Sequence, residues 1–211
     1  MLDSVIKEEL RNQQILPVFN TTDLTFDIKR LEIFLSKNSQ IKNIEITLRK
    51  YNSLEIAIEL KKQFQNINFG LGSILSSKDY EIGSKEGFCF FVSPGIILDL
   101  VNTKEINYIP GGESISEFMF LLNNDYKVIK FFPSNLAGGK NKLISVESIL
   151  KDAMFIPTGG ITNKNALSYL ALDNVSAVGL SALISPDLVH LKSWSEIKSN
   201  LKESKELITK S

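Results

Sequence analysis

The chain has 211 residues, 43% hydrophobic and 23% charged, and its 24 Lys+Arg balance its 24 Asp+Glu. A chain of this length buries about 70% of its unfolded surface without a disulfide or metal staple, and a neutral balance argues against a general nucleic-acid binder, which carries a basic excess. One cysteine, Cys89, excludes an internal disulfide framework, and one histidine, His190, excludes a multi-histidine site or a Cys/His zinc cluster within one chain. A metal site would have to be built mostly of carboxylates, and the expectation is no metal and no cofactor, with any carbonyl chemistry run through lysine or carboxylate.

The first eleven residues are charged throughout and lack the apolar core of a secretory signal. No apolar run approaches the roughly 20 residues that span a bilayer, so the expectation is a soluble, cytoplasmic protein with no membrane partner. A helix over 2–11 leads into a β-type run at 15–19. Asp23 then opens a helical stripe of Phe26, Leu31, Ile33 and Phe34. A second run, 44–49, is followed by Ser53 as the N-cap of a stripe made by Leu54, Ile56, Ala57, Leu60 and Phe64. Further runs fall at 69–75, 88–93 and 108–111. Ser114-x-x-Glu117 has the spacing of a capping box at the start of the next helix. Runs at 128–133, 155–159 and 177–182 complete the set, with helices over 163–172 and 194–208.

Eight runs starting roughly 20 to 30 residues apart suit βα units, and no linker or charge block divides the chain. The reading is α/β, one domain over 1–211, a single (β/α)8 TIM barrel preceded by an N-terminal helix. A doubly wound open sheet is the rival, because alternation alone does not separate the two. In either fold, functional residues belong at the carboxyl ends of strands. Pro17, Pro94, Pro110, Pro133 and Pro157 sit in or just after the runs and mark those ends.

In the second run the even positions are apolar and the odd ones polar, so Glu45, Thr47 and Arg49 share one face. On an open sheet that face is simply wet. Inside a barrel, charges need a partner or a task. Lys130 sits mid-run in Val128-Ile129-Lys130-Phe131-Phe132-Pro133. A buried amine tends toward its neutral, nucleophilic form, although a lysine can also snorkel to a strand end. Thr158-Gly159-Gly160 and Gly179-Leu180-Ser181 are glycine-containing turns after the last two runs, where barrels often hold a phosphate. Phe69-Gly70-Leu71-Gly72-Ser73 reads as another turn without dinucleotide spacing. His190 and Cys89 read as packed or surface residues.

These residues carry a resemblance. Ile15-Leu16-Pro17-Val18, Glu45-Ile46-Thr47-Leu48-Arg49, Gly70-Leu71-Gly72-Ser73, Ser93-Pro94-Gly95, Ile109-Pro110-Gly111, Lys130-Phe131-Phe132-Pro133 and Pro157-Thr158-Gly159-Gly160 are collinear with the class I aldolases that cleave 2-keto-3-deoxy-6-phosphogluconate and 4-hydroxy-2-oxoglutarate. The resemblance implies a (β/α)8 barrel assembled as a homotrimer, a small 2-keto acid substrate, Lys130 as the Schiff-base lysine and Glu45 as the general acid/base. It also implies that Arg49 and Ser73 hold the pyruvyl carboxylate and that Pro94 and Phe132 wall its pocket. Thr158, Gly159, Gly160 and Ser181 would then bind the far end of the substrate. The chain departs from the family pattern at Asn20, at Ser134-Asn135, at Leu180 in the phosphate turn, and at Glu113, whose carboxylate could face the substrate or support the following helix. The residues alone leave open a non-catalytic barrel that binds a phosphorylated metabolite, a phosphogalactonate-type aldolase, and a transferase resembling thiamin-phosphate synthase.

Overall fold

Alternation of side chains along short parallel strands, with helices between them, organises the chain. The computed structural model describes residues 2–103, 105–184 and 193–199. Its strands are β1 (Ile15–Asn20), β2 (Asn43–Thr47), β3 (Asn68–Gly72), β4 (Phe90–Val92), β5 (Tyr108–Ile109), β6 (Gly111–Gly112), β7 (Val128–Phe131), β8 (Met154–Pro157) and β9 (Val178–Leu180). The helices are α1 (Ser4–Gln13), α2 (Leu24–Lys37), α3 (Ser53–Gln63), α4 (Ser77–Lys85), α5 (Leu98–Val101), α6 (Ile115–Asn123), α7 (Gly139–Glu147) and α8 (Ala166–Leu170). Residues 194–199 add a further helical turn, and the rest of the helix expected over 194–208, like His190, lies outside the described residues.

The architecture is α/β with curled parallel sheets. One has the order β5-β4-β3-β2-β1-β9 and the other β6-β7-β8. Single parallel bridges, Phe155 to Val175 and Thr158 to Gly179, link the β8 segment to the approach to and body of β9. Pro110 separates β5 from β6 because it has no N–H to give to a ladder.

Several elements differ from their sequence readings. The run at 44–49 leaves the ladder after Thr47, apart from a bond from the Leu48 N–H to the Gly72 carbonyl. Gly70 and Gly72 are strand residues of β3 and not a turn. Ser53 is the first residue of α3, with Asn52 at the N-cap; the Ser53 hydroxyl is instead held by the Lys50 N–H and by Thr21. Asp23 and Ser114 cap α2 and α6 as expected, the latter in a full capping box with Glu117.

Strand alternation sorts the apolar side chains into two populations. Ile15, Phe19, Ile44, Ile46, Phe69, Leu71, Ile129, Phe131 and Leu180 face the helices in the main core. Leu16, Phe90, Val92, Ile109, Val128 and Ile156 form a smaller inner cluster with Ile6 and Leu10 of α1. Gly70 makes room there, since a Cβ on it would lie 2.2 Å from the Phe90 ring. Helix α1 is fixed at the amino ends of the strands. The Gln13 amide bonds the Ile15 and Asn43 carbonyls, and Glu9 accepts from the Asn43 and Asn68 amides. With those ends plugged, the polar positions at the carboxyl ends are left for chemistry. Cys89 packs half-buried beside the inner cluster, and burial pushes its thiol pKa up.

Candidate active site

Lys130 is the third residue of β7 and Glu45 the third of β2, and each lies on the same side of its strand as the inner apolar cluster. Their side chains are 4% and 0% exposed, and Lys130 Nζ donates to Glu45 Oε1 at 3.0 Å. The pair is 85 residues apart in sequence. Two opposite charges in an apolar interior offset each other's desolvation only when held in good geometry. Gly72 supplies that geometry. The register places Thr47 opposite Gly72, and a Cβ on Gly72 would lie 2.1 Å from Glu45 Oε1. The second carboxylate oxygen, Oε2, is buried and has no hydrogen bond among the described residues, leaving an acceptor beside the amine.

The other expected residues gather around this pair. The Phe132 ring centroid is 5.4 Å from Lys130 Nζ. Gly111, the register partner of Lys130, packs so closely on the turn after β4 that a Cβ there would lie 2.3 Å from the Pro94 carbonyl oxygen. Pro94 is thus one strand away from the lysine. On the other side, the Ser134 N–H bonds the Thr158 carbonyl, and the Asn135 N–H bonds the Gly159 carbonyl. Gly159 and Gly160 have φ of 91° and 77°, a region that disfavours side chains. Close approach also requires both glycines: a Cβ on Gly159 would meet the Phe132 ring at 3.3 Å, and one on Gly160 would meet Asn135 Cβ at 2.3 Å. Thr158 pairs with Gly179, and the exposed Ser181 follows two residues on, just past the end of β9.

Arg49 corrects one expectation. It does not share the inward face of β2 with Glu45 and Thr47, because the chain has already left the strand and turned toward α3. It is exposed on the rim, where its Nε donates to Ser73 Oγ at 3.3 Å. The two residues expected to hold a carboxylate still meet, through a turn in which Ser73 adopts φ 59°. Leu180 corrects another. It is fully buried in the main core, paired with Pro17, so its side chain points away from the face carrying Gly179. Glu113 is exposed, and its backbone is held at both ends: its N–H by Glu117 and its carbonyl by Lys142 Nζ at 2.7 Å. Glu117, not Glu113, supports the start of α6. Asn20 uses its Oδ1 to accept from the Thr47 hydroxyl at 2.8 Å.

Sequence reasoning missed Gly72 as a site residue. Its signal was a Gly-x-Gly at a strand end, which in a sheet marks a close approach. It also missed a buried ion pair on α2, Arg30 with Asp27 at 3.0 Å, which has no counterpart in the apolar stripe that defined that helix. Among the described residues, no group of three or more His, Cys, Asp or Glu is placed to hold a metal ion, and no helix is long and apolar enough to cross a membrane.

Comparison with known proteins gives one direction. The family described as "Aldolase: KDPG and KHG aldolase" matches residues 6–200. The 2-dehydro-3-deoxy-phosphogluconate aldolase of Pseudomonas aeruginosa is 30% identical over 199 residues, covering 93% of this chain and 90% of that protein. The enzyme of that name from Zymomonas mobilis is 30% identical over 209 residues, covering 96% and 97%. Among solved structures, the KDPG aldolase of Legionella pneumophila, with pyruvate captured at low pH as a covalent carbinolamine intermediate, superposes with a TM-score of 0.79 at 28% identity. It covers 92% of this chain and 91% of that one. The 2-keto-3-deoxy-6-phospho-gluconate aldolase of Zymomonas mobilis ATCC 29191 gives a TM-score of 0.82 at 27% identity, covering 91% and 95%.

Proposed function

The chain belongs to the KDPG and KHG aldolase family, and from that premise we propose that it cleaves 2-keto-3-deoxy-6-phosphogluconate, 4-hydroxy-2-oxoglutarate or both, with Lys130 as the imine-forming nucleophile. It is a carbon–carbon lyase of the aldolase type. The observation that carries the residue assignment is the buried contact of 3.0 Å between Lys130 Nζ and Glu45 Oε1.

The neutral amine attacks the C2 ketone, giving a carbinolamine, and loss of water gives a protonated imine. Glu45 beside it accepts the ammonium proton before attack and returns one to the departing hydroxyl. With the imine as electron sink, Glu45 takes the proton of the C4 hydroxyl. The C3–C4 bond then breaks, releasing glyceraldehyde 3-phosphate or glyoxylate and leaving an enamine. Protonation at C3 and hydrolysis of the imine release pyruvate and regenerate the amine. No metal or organic cofactor takes part in this scheme. Arg49 and Ser73 are suited to the pyruvyl carboxylate, for which a guanidinium fork is well shaped. Pro94 and Phe132 flank the pyruvyl half. The backbone of Thr158, Gly159 and Gly160, with the Ser181 hydroxyl, is suited to the far end of the substrate.

Two further readings belong here. The pairing of β1 with β9, the bridges between the β8 segment and β9, and the interruption of one strand by Pro110 support closure of the sheets into a (β/α)8 barrel. Ile115, Met119 and Phe120 on α6, with Leu98, leave large apolar side chains exposed. A homotrimer would cover such a surface, and light scattering would then give about three times the 23.6 kDa chain mass. The reading as a whole is tested by incubating the protein with pyruvate and sodium borohydride and mapping the adduct by mass spectrometry. A reduced adduct on Lys130, absent in Lys130→Arg, is expected. A folded protein that gives no adduct there overturns it.

A further inference from the structure

Tyr108 is the first residue of β5, is 1% exposed, and lies on the helix-facing side of its sheet with its ring edge-to-face on Tyr126 at 5.7 Å. Its hydroxyl reaches the turn that follows β4. It lies 2.6 Å from Ser93 Oγ, 3.2 Å from the Ile97 nitrogen and 3.4 Å from the Gly95 carbonyl oxygen. Ser93 Oγ in turn donates to the Gly95 carbonyl oxygen through a short contact. Each hydroxyl has one proton, and giving that of Ser93 to the Gly95 carbonyl, its closer acceptor, leaves one arrangement. The Ile97 N–H donates to Tyr108 Oη, the Tyr108 O–H to Ser93 Oγ, and the Ser93 O–H to the Gly95 carbonyl. The turn over residues 93–97 is thereby tied to one buried ring directly at Ser93 and Ile97 and, through Ser93, at Gly95.

That turn is the one packed beside the lysine. The Pro94 carbonyl sits over Gly111, the Gly111 N–H donates to the Gly95 carbonyl at 3.4 Å, and Gly111 pairs in register with Lys130. The Lys130 N–H also bonds the Pro110 carbonyl at 2.9 Å, so the lysine and the turn share one stretch of backbone.

We propose that Tyr108 is a positioning residue for the pyruvyl half of the substrate: its hydroxyl fixes the 93–97 turn and so holds the Pro94 wall at a set distance from Lys130. The proposal rests on the assignment of Lys130 as the imine-forming residue. Burial raises the pKa of the Tyr108 phenol, keeping the proton that the chain of donors requires.

The test compares Tyr108→Phe with Tyr126→Phe. Tyr126 loses a comparable buried hydroxyl, bonded to the Leu100 carbonyl at 3.0 Å, from the same ring pair, but without a hydrogen bond to the 93–97 turn. Kinetics of aldol cleavage, the pyruvate concentration for half-maximal borohydride trapping, and Tm are measured for both. We expect Tyr108→Phe to raise KM and the half-trapping concentration by up to about tenfold, the scale of one lost hydrogen bond, with a much smaller change in kcat, the pattern of lost uniform binding. Tyr126→Phe lowers Tm but leaves KM unchanged. Ser93→Ala, which breaks the same chain one link further on, reproduces the KM of Tyr108→Phe and serves in its place if that variant does not fold. Equal KM values in the two tyrosine variants, or an unchanged KM in Ser93→Ala, overturn the proposal. Failure of the wild-type protein to form the Lys130 adduct overturns the underlying assignment instead, and is read without any tyrosine variant.

Discussion

Gly72→Ala is the most direct perturbation of the Lys130–Glu45 pair that replaces neither residue. The new Cβ would start 2.1 Å from Glu45 Oε1, 2.4 Å from its Cγ and 2.5 Å from its Cδ, whereas ordinary contact begins at 3.4 Å. Relief along the Oε1 direction requires 3.4 minus 2.1, or 1.3 Å, of movement. The carboxylate is the free end of its side chain and gives way first, moving by a distance that its bond of 3.0 Å to Lys130 does not tolerate. Misplacement by about 1 Å costs on the order of 10²-fold in rate, or about 2.7 kcal/mol of barrier at 1.36 kcal/mol per tenfold. Overpacking adds a stability cost of about 1–3 kcal/mol. Gly70→Ala is the matched control: Gly70 is two residues away on the same strand and pairs in register with Glu45, but the three atoms nearest its Cβ, from 2.2 Å, all belong to the Phe90 ring and none to the Glu45 side chain. Steady-state cleavage assays and urea denaturation on both variants separate the effects. Both lose stability, but only Gly72→Ala loses about 10²-fold in kcat. A Gly72→Ala protein with wild-type kcat and lowered stability would refute the argument that Glu45 must sit where this glycine leaves it.

Two other expectations concern stability. Asp27 accepts from the Thr22 N–H and hydroxyl and pairs with Arg30, whose guanidinium lies 3.8 Å over the Phe19 ring with Nε and Nη1 finding no hydrogen bond among the described residues. Burial holds the Arg30 pKa below its usual value even against the attraction of Asp27. Asp27→Asn leaves that cation buried and uncompensated, and should cost about 3–5 kcal/mol in urea denaturation; a loss under about 1 kcal/mol would mean the site relaxes by hydrating the arginine. Partial burial raises the Glu117 pKa, but the Ser114 hydroxyl and the N–H groups of Glu113 and Ser114 outweigh it, so the net pKa lies below 4.5. A depressed carboxylate contributes stability above its unfolded pKa and loses it as pH falls through the folded one. The α6 cap should therefore weaken only below about pH 4.5, and Glu117→Gln should flatten that part of the acid-denaturation curve. An unaltered curve would show that the cap carries no proton-linked stability.

Much of the fold was legible because it depends on local periodicity. The parity of Glu45 in β2 and of Lys130 in β7 followed from the alternation of side chains, and helix starts at Asp23 and Ser114 followed from capping chemistry. Strand ends were less legible. Arg49 has the right parity but lies past the point where the chain leaves the ladder, and parity has no meaning beyond the last paired residue. Leu180 misled in the opposite sense: next to two glycine-turn residues in sequence, it faces the other side of its strand.

By itself the sequence determined the alternation of strand and helix, the placement of charge at strand ends, and the identity of the one lysine set within an apolar run. Those properties are written in neighbouring residues, where periods of two and 3.6 decide which side chains share a face. The tertiary structure decided that Lys130 meets Glu45 across 85 residues, that Gly72 is the space one of them occupies, and that Tyr108 reaches over to the Pro94 turn. Such contacts depend on strand register and on the close packing of interiors, where a shift of one residue or one ångström changes every partner. No local pattern carries that information.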